Sequence, residues 1–226
     1  MAIAIGDIHG CLAPLRRLVE RLPQGEALIF LGDYIDRGPD SAAVVHYLKS
    51  LAKKRPCRFL KGNHEDMMLR AVDSEDEISP WLWNGGAATL RSYGAETAAW
   101  KRSAHRGAFL ERDREFYSSL ELYIEDENTI FVHAGIDLQI PHMARQKPEV
   151  LLWIRERFFA AGHIWNGKEI IFGHTPTRYM GLPAGEIFKR PPLYGIDTGC
   201  VYGGVLTAID SRRHTCYQEQ SDFRYD

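Results

Sequence analysis

Three short stretches in the first third of the chain concentrate carboxylates, imidazoles and an amide. They are Gly6-Asp7-Ile8-His9-Gly10, Gly32-Asp33-Tyr34-Ile35-Asp36-Arg37-Gly38 and Gly62-Asn63-His64-Glu65. Two more histidines, in His133-Ala134-Gly135 and Gly173-His174-Thr175, follow apolar runs much later. Asp7, His9, Asp33, Asn63, His133 and His174 each stand just past a segment that reads as a strand. Loops at the carboxyl ends of the strands of an open α/β sheet gather into one crevice, so five strand ends would bring six N/O donors together. Asp, Asn and imidazole donors without thiolate suit Mn, Fe, Zn or Co better than Mg or Ca. One ion that must also hold water and substrate seldom needs six protein ligands. Two ions sharing a carboxylate use the set well, and Asp33, in the middle motif, is the natural bridge. Such a pair can hold a shared water and bring its pKa from 15.7 toward about 7, giving a hydroxide for in-line attack on phosphorus. Arg37 supplies a guanidinium fork for the equatorial oxygens. His64, beside Asn63, is the candidate acid for the leaving oxygen, with Asp36 to orient and charge it.

The elements that must hold these residues follow from the apolar spacing. Strands are expected at Ala2 to Ile5, Ala27 to Leu31 and Arg58 to Leu60. Helical stripes cover Leu12 to Leu22, Ser41 to Ala52 (with Asp40 as N-cap) and Asn63 to Val72. This βαβαβα order implies parallel strands and right-handed crossovers. The acidic run from Asp73 to Glu77 reads as a solvated loop. Residues 79 to 119 look helical, hold Trp81, Trp83 and Trp100, and are broken at Asn84-Gly85-Gly86. They are expected either to lean over the site, with Trp83 and Asn84 lining a groove, or to form a packing layer with no substrate role. Strands resume at Leu122 to Glu125 and Thr129 to Val132. A helix is expected over Pro148 to Ala161, then strands at Glu169 to Phe172, Leu193 to Ile196, Val205 to Ile209 and His214 to Gln218. With no repeat or long linker, one domain over 1–226 is the economical reading, with a helical insertion at 74–119.

The whole-chain properties narrow the class. The 226 residues are 45% hydrophobic and 26% charged, ordinary for a globular enzyme, with a formal net charge of -2. That balance gives no electrostatic case for bulk nucleic-acid binding. No apolar run approaches the roughly 20 residues of a membrane helix, and no leader pattern precedes the first strand, so a cytoplasmic location is expected. Cys11, Cys57, Cys200 and Cys216 lack the spacing of a zinc knuckle or a disulfide framework and read as buried small apolar residues, with Cys11 and Cys200 beside motif residues. His46, His105, His142, His163 and His214 read as surface or satisfied core residues.

The succession Gly-Asp-x-His-Gly, Gly-Asp-x-x-Asp-Arg-Gly, Gly-Asn-His-Glu, His-Ala-Gly and Gly-His-Thr, from Gly6 to about Gly204, resembles the calcineurin-like metallophosphoesterases. It looks most like the bacterial and phage branch of the PPP-type serine/threonine protein phosphatases. The resemblance implies an α/β fold with two central mixed β-sheets flanked by helices, a four-layer αββα sandwich. It implies Asp7, His9 and Asp33 on one divalent metal and Asp33, Asn63, His133 and His174 on a second, with Mn expected and Fe, Zn or Co as alternatives. Arg37 and a second arginine would hold the phosphate. Leu152-Trp153-Ile154-Arg155 matches the family's Trp-x-Arg element and so points to Arg155, which spacing alone does not separate from Arg157. The implied activity is hydrolysis of phosphoserine, phosphothreonine and also phosphotyrosine in proteins or peptides. The tail Asp197-Thr198-Gly199-Cys200-Val201-Tyr202-Gly203-Gly204 departs from the eukaryotic enzymes and also resembles bacterial diadenosine tetraphosphatases, so a dinucleoside polyphosphate is the alternative substrate. A catalytically inactive binding module is a third reading, against which the complete ligand, arginine and acid set argues.

Overall fold

The computed structural model describes residues 2–161 and 165–225, so His163 lies outside the described residues. Two five-stranded mixed sheets pack face to face. The first contains β1 (Ala2–Ile5), β2 (Ala27–Phe30), β3 (Cys57–Phe59), β9 (Val205–Asp210) and β10 (Cys216–Gln220), in the order β10-β9-β1-β2-β3. The second contains β4 (Tyr123–Glu125), β5 (Thr129–Val132), β6 (Glu169–Phe172), β7 (Phe188–Arg190) and β8 (Leu193–Gly195), in the order β4-β5-β6-β8-β7. As the βα rhythm implies, β1, β2 and β3 run parallel, and so do β5, β6 and β8.

Alternation along the strands builds two interfaces from one sequence. Ala2 and Ala4 face the second sheet, in a core with Ile29, Leu31, Phe131, Ile171 and Ile209. Ile3 and Ile5 point the other way, into a core shared with α1 (Leu12–Arg21), α2 (Ser41–Ala52) and α3 (Asn63–Asp73). On the outer face of the second sheet, Ile130, Val132, Ile170 and Phe172 pack with Leu151 and Phe158. Small alanines on β1 let the two sheets approach, and the result is the expected αββα layering.

Between α3 and β4 the chain is helical and broken, with no strand. It comprises α4 (Ile78–Trp81), a π-helical turn at Leu82–Gly86, α5 (Ala87–Ser92), α6 (Thr97–Lys101), a 3₁₀ segment at Arg106–Asp113 and α7 (Arg114–Ser118). Trp81 and Trp100 are buried here edge to face, 5.3 Å apart, whereas Trp83 is 87% exposed and has no packing role.

Several local expectations need correction. The single helix over Pro148 to Ala161 is two short helices, α8 (Pro148–Trp153) and α9 (Glu156–Phe159). Ile154 is extended at ψ 142° and Arg155 lies at φ -130°, ψ -117°, so the helical path stops and turns there. Asp40 does precede α2, but its side chain makes no capping bond. The short edge strand β7 was not expected. Cys11 and Cys200 are buried, but Cys57 is half-buried and Cys216 exposed, so those two are not core residues.

Candidate metal centre

The loops after β1, β2 and β3 are laced together by their own backbones. Ile8 N and His9 N both donate to the Asp33 carbonyl, at 3.1 and 2.8 Å, and Gly10 N donates to Tyr34 O at 2.9 Å. Glu65, on the first turn of α3, accepts from the N–H groups of Gly62, Asp33 and Tyr34 at 2.9, 2.9 and 2.8 Å. Its carboxylate therefore ties the third motif to the second. His9, Asp33, Asp36, Arg37 and His174 all adopt left-handed backbone, with φ between 46° and 71°. Such conformations cost about 1–3 kcal/mol each and persist where the surroundings impose them, most often at functional sites.

Two glycines allow the approach of the motifs. A Cβ on Gly62 would stand 2.1 Å from Asp33 Oδ1, and one on Gly173 would stand 2.2 Å from Asp7 Oδ1. Asn63 is inside α3 and is not its cap, so its amide is free to face inward.

The first sheet delivers Asp7, His9, Asp33 and Asn63, and the second delivers His133 and His174, so the side chains meet where the two sheets' strand ends converge. His133 Nδ1 donates to the Leu31 carbonyl at 2.8 Å. That bond fixes the tautomer and leaves a bare lone pair on Nε2. This nitrogen faces Asn63 Oδ1 at 2.9 Å and Asp33 Oδ1 at 3.5 Å, and Asn63 Oδ1 also lies 2.9 Å from His174 Nδ1. On the other side of Asp33, His9 Nδ1 donates to Ile35 O at 2.8 Å, and His9 Nε2 lies 3.3 Å from Asp33 Oδ2. The His133 Nε2 lone pair meets the oxygens of Asn63 and Asp33 with no hydrogen between them, and a cation removes that repulsion. The donor set therefore fits divalent metal. Among the described residues, the ligand atoms of Asp33, His133 and His174 lie within 4.8 Å of one another, and so do those of His9, Asp33 and His64, so Asp33 is common to both groups. Asp7 stands beside them, with both carboxylate oxygens 3.1 Å from His174 N.

Protonation follows burial. Removal from water pushes His9 down to about 4 and His64 to about 3, with Arg37 adding to both. Burial also lowers His133 and His174. Neutral imidazoles are what a metal requires. Burial would raise Asp33, but the imidazoles of His133, His64 and His9 outweigh it and hold that carboxyl well below the usual range. Asp7 is raised by burial and by Asp197 and Asp33.

Behind the ligands, His64 Nδ1 lies 2.7 Å from Asp36 Oδ2, both fully buried, and His64 Nε2 lies 3.9 Å from Asp33 Oδ2. Asp36 also accepts from Trp81 Nε1 at 2.9 Å and Thr89 Oγ1 at 2.5 Å. Burial pushes Asp36 up to about 7 against those hydrogen bonds. Arg37 Nη1 donates to His9 Nε2 at 2.6 Å, and its backbone N–H donates to Gly85 O at 3.2 Å. The helical segment thus reaches the site through Trp81, Gly85 and Thr89. Arg155 Nη1 donates to Thr175 Oγ1 at 3.2 Å, beside His174, whereas Arg157 pairs with Asp137 at 3.4 Å.

The family model for calcineurin-like phosphoesterases matches residues 2–186. The chain belongs to that family. It is 28% identical to the bis(5'-nucleosyl)-tetraphosphatase (asymmetrical) PrpE of Halalkalibacterium halodurans, over 91% of this chain and 87% of that protein. It is 31% identical to serine/threonine-protein phosphatase 1 of Salmonella typhimurium, over 90% of this chain and 88% of that protein. Among solved structures, one assigned provisionally as a diadenosine tetraphosphatase superposes with TM-score 0.65 at 23% identity, covering 97% of this chain and 93% of that one. The family is one of metal-dependent hydrolases, and its dinuclear divalent site accords with the donor clusters here. No helix among the described residues is long and apolar enough to cross a membrane.

Sequence reasoning missed several residues at the calcineurin-like site. In the sequence Glu65 is one letter of the third motif, and nothing local marks it as the clasp between two loops. Trp81 and Thr89 carried no local signal, because their bonds to Asp36 span 45 and 53 residues. Asp197 is buried next to Asp7 and is pushed up to about 6 by its burial. Tyr202 reaches the site because Ile196 to Gly204 crosses from β8 in one sheet to β9 in the other; its ring centroid lies 5.4 Å from the Arg37 guanidinium.

Proposed function

We propose that this chain is a dinuclear-metal phosphoesterase that hydrolyses phosphoserine and phosphothreonine, and also phosphotyrosine, in proteins. Asp7, His9 and Asp33 would hold one ion, and Asp33, Asn63, His133 and His174 the other. The ions, when bound, supply an activated water and Lewis acidity toward the phosphoryl oxygens. Arg37 and Arg155 bind those oxygens, and their planar forks fix the orientation of the phosphate.

The observation that carries this reading is the buried His64–Asp36 pair behind the donor clusters. A serine oxygen is a poor leaving group and needs a proton as it departs. Without substrate, burial and Arg37 keep His64 neutral. A phosphate dianion arriving opposite Nε2 favours the imidazolium, and Asp36 stabilises the charge from the Nδ1 side. His64 Nε2 then gives its proton to the departing oxygen, a contribution of typically 10²–10⁴ in rate. Asp36 keeps the ring in place and is itself held by Trp81 and Thr89.

His64→Asn is expected to reduce turnover of a phosphoserine peptide by about 10²-fold or more. Turnover of nitrophenyl phosphate, whose leaving oxygen is far less basic, should fall much less. Equal losses on the two substrates, with metal retained, would remove His64 from the acid role.

A second reading is hydrolysis of bis(5'-nucleosyl) tetraphosphates. It is favoured by the guanidinium and aromatic side chains at the rim: Arg178 and Tyr179 lie next to Tyr202, and Trp153 has its ring 5.9 Å from His174. The two readings are compatible at the metals, since a centre able to expel an alkoxide also expels a nucleotide. Parallel assays of a phosphoserine peptide and diadenosine tetraphosphate discriminate them by their kcat/KM ratio.

A further inference from the structure

We propose that Arg178, with Tyr179 and Tyr202, forms a second anion subsite that takes the phosphate chain of a dinucleoside polyphosphate beyond the phosphorus being attacked. The proposal rests on the second of the two readings above, hydrolysis of bis(5'-nucleosyl) tetraphosphates, with Arg37 as a ligand of the reacting phosphate.

Tyr202 is the link between the two arginines. The guanidinium carbon of Arg37 lies 5.4 Å from its ring centroid and that of Arg178 lies 4.4 Å from it. The two cations both lie against one phenol ring and are therefore less than about 10 Å apart, within the reach of a chain of linked phosphates.

Neither cation has a carboxylate partner among the described residues. Arg37 spends its side-chain hydrogen bond on His9 Nε2, at 2.6 Å, and Arg178 spends its own on the hydroxyl of Tyr179, at 2.8 Å. Arginines elsewhere on the surface do find acids. Arg17 pairs with Asp222, Arg58 with Glu121 and Arg70 with Asp66. Arg37 already faces the buried carboxyls of Asp7, Asp36 and Asp197, whereas Arg178 forms no ion pair among the described residues, so an added anion gains most at Arg178.

The surroundings define the chemistry of that anion. A cavity of about 100 Å³ opens at this point, lined by Thr177, Arg178, Thr198, Tyr202 and Gly203 among others. Tyr179 is 65% exposed, with the Arg178 guanidinium 4.8 Å from its ring centroid. Only three large hydrophobic side chains are exposed among the described residues: Trp83, Trp153 and Tyr179. Each is on a segment that touches the site. Trp83 is two residues before Gly85, whose carbonyl holds Arg37 N; Trp153 precedes Arg155 by two; and Tyr179 adjoins Arg178. A flat aromatic face beside a guanidinium suits a base attached to a phosphate chain. An acidic peptide side chain would use the charge and leave the rings idle.

The test uses the metal-loaded protein, with metal in excess over polyphosphate, and compares wild type, Arg178→Ala and Arg178→Lys on diadenosine tetraphosphate, nitrophenyl phosphate and a phosphoserine peptide with an acidic neighbour. Arg178 is on the surface, so folding of the variants is checked simply by the unfolding midpoint. The KM for diadenosine tetraphosphate is expected to rise about tenfold in Arg178→Ala and to be partly rescued in Arg178→Lys, with a rise of less than about twofold for nitrophenyl phosphate. A loss confined to the acidic peptide would overturn the nucleotide assignment. Equal changes on all three substrates, or none on the dinucleotide, would overturn the subsite. A wild type inactive on all three substrates would contradict the hydrolase reading itself, which separates the two failures.

Discussion

At the scale of single residues the site depends on which hydrogen bonds leave a lone pair free. The carbonyls of Leu31 and Ile35 take the Nδ1 protons of His133 and His9, and so leave a lone pair on each Nε2, which on His9 accepts from Arg37 and would be released to a metal when Arg37 turns to an anion. The same logic applies one step further back, where Thr89 and Trp81 hold Asp36 and Asp36 holds His64. Thr89→Val removes a hydrogen bond to a buried carboxyl, a loss of about 1.5–3 kcal/mol. Turnover of a phosphoserine peptide should fall roughly tenfold or more, with metal content unchanged by elemental analysis. Loss of metal in that variant would mean that Thr89 supports the ligands and not the acid. Arg155→Ala should raise KM for phosphorylated substrates and leave the metals in place, and Arg155→Lys should rescue only part, because an ammonium cannot offer a planar fork. Proton release belongs to this scale too. Burial beside Asp197 and Asp33 raises Asp7, so metal binding competes with its protonation. Metal affinity should therefore increase as pH rises, and calorimetry in buffers of different ionisation enthalpy should register released protons.

At the scale of elements, the strand ends place the ligands and the glycines set their spacing. Gly173→Ala would put a Cβ 2.2 Å from Asp7 Oδ1, so Asp7 or the start of the His174 loop must move. That variant should keep its fold, as judged by circular dichroism, and bind metal at least tenfold more weakly. Unchanged affinity would show that the loop absorbs the methyl group elsewhere. The contrast between this part of the chain and the rest explains what the sequence made legible. Asp7, Asp33, Asn63, His133 and His174 were readable because each ends an apolar run, and strand ends converge by the topology of the sheet. Arg155 was different. Spacing could not separate it from Arg157, and the helical periodicity of Pro148 to Ala161 hid the break at Ile154 that turns Arg155 toward Thr175. Trp81 and Thr89 were illegible because helical packing, not sequence proximity, brings them to Asp36. Tyr202 was visible as part of an unusual tail, but its place beside Arg37 depends on a crossing between the sheets that no local pattern encodes.

At the scale of the whole molecule, the candidate centre is the seam between two sheets. The first contributes Asp7, His9, Asp33 and Asn63, the second His133 and His174. Metals bound there would cross-link the sheets and so link folding to metal binding. Metal at 100 times its dissociation constant contributes about 2.7 kcal/mol, and a chain of this length should gain roughly 5–10 °C in unfolding midpoint. A chelator should reverse the gain in differential scanning fluorimetry, and Mn should restore it. The most direct measurement is metal stoichiometry alongside activity. Elemental analysis of the fully active protein should find two divalent ions per chain. Asp33→Asn should weaken both sites and abolish turnover, and Asp7→Asn should weaken mainly one. A single tightly bound ion in fully active protein would contradict the dinuclear account.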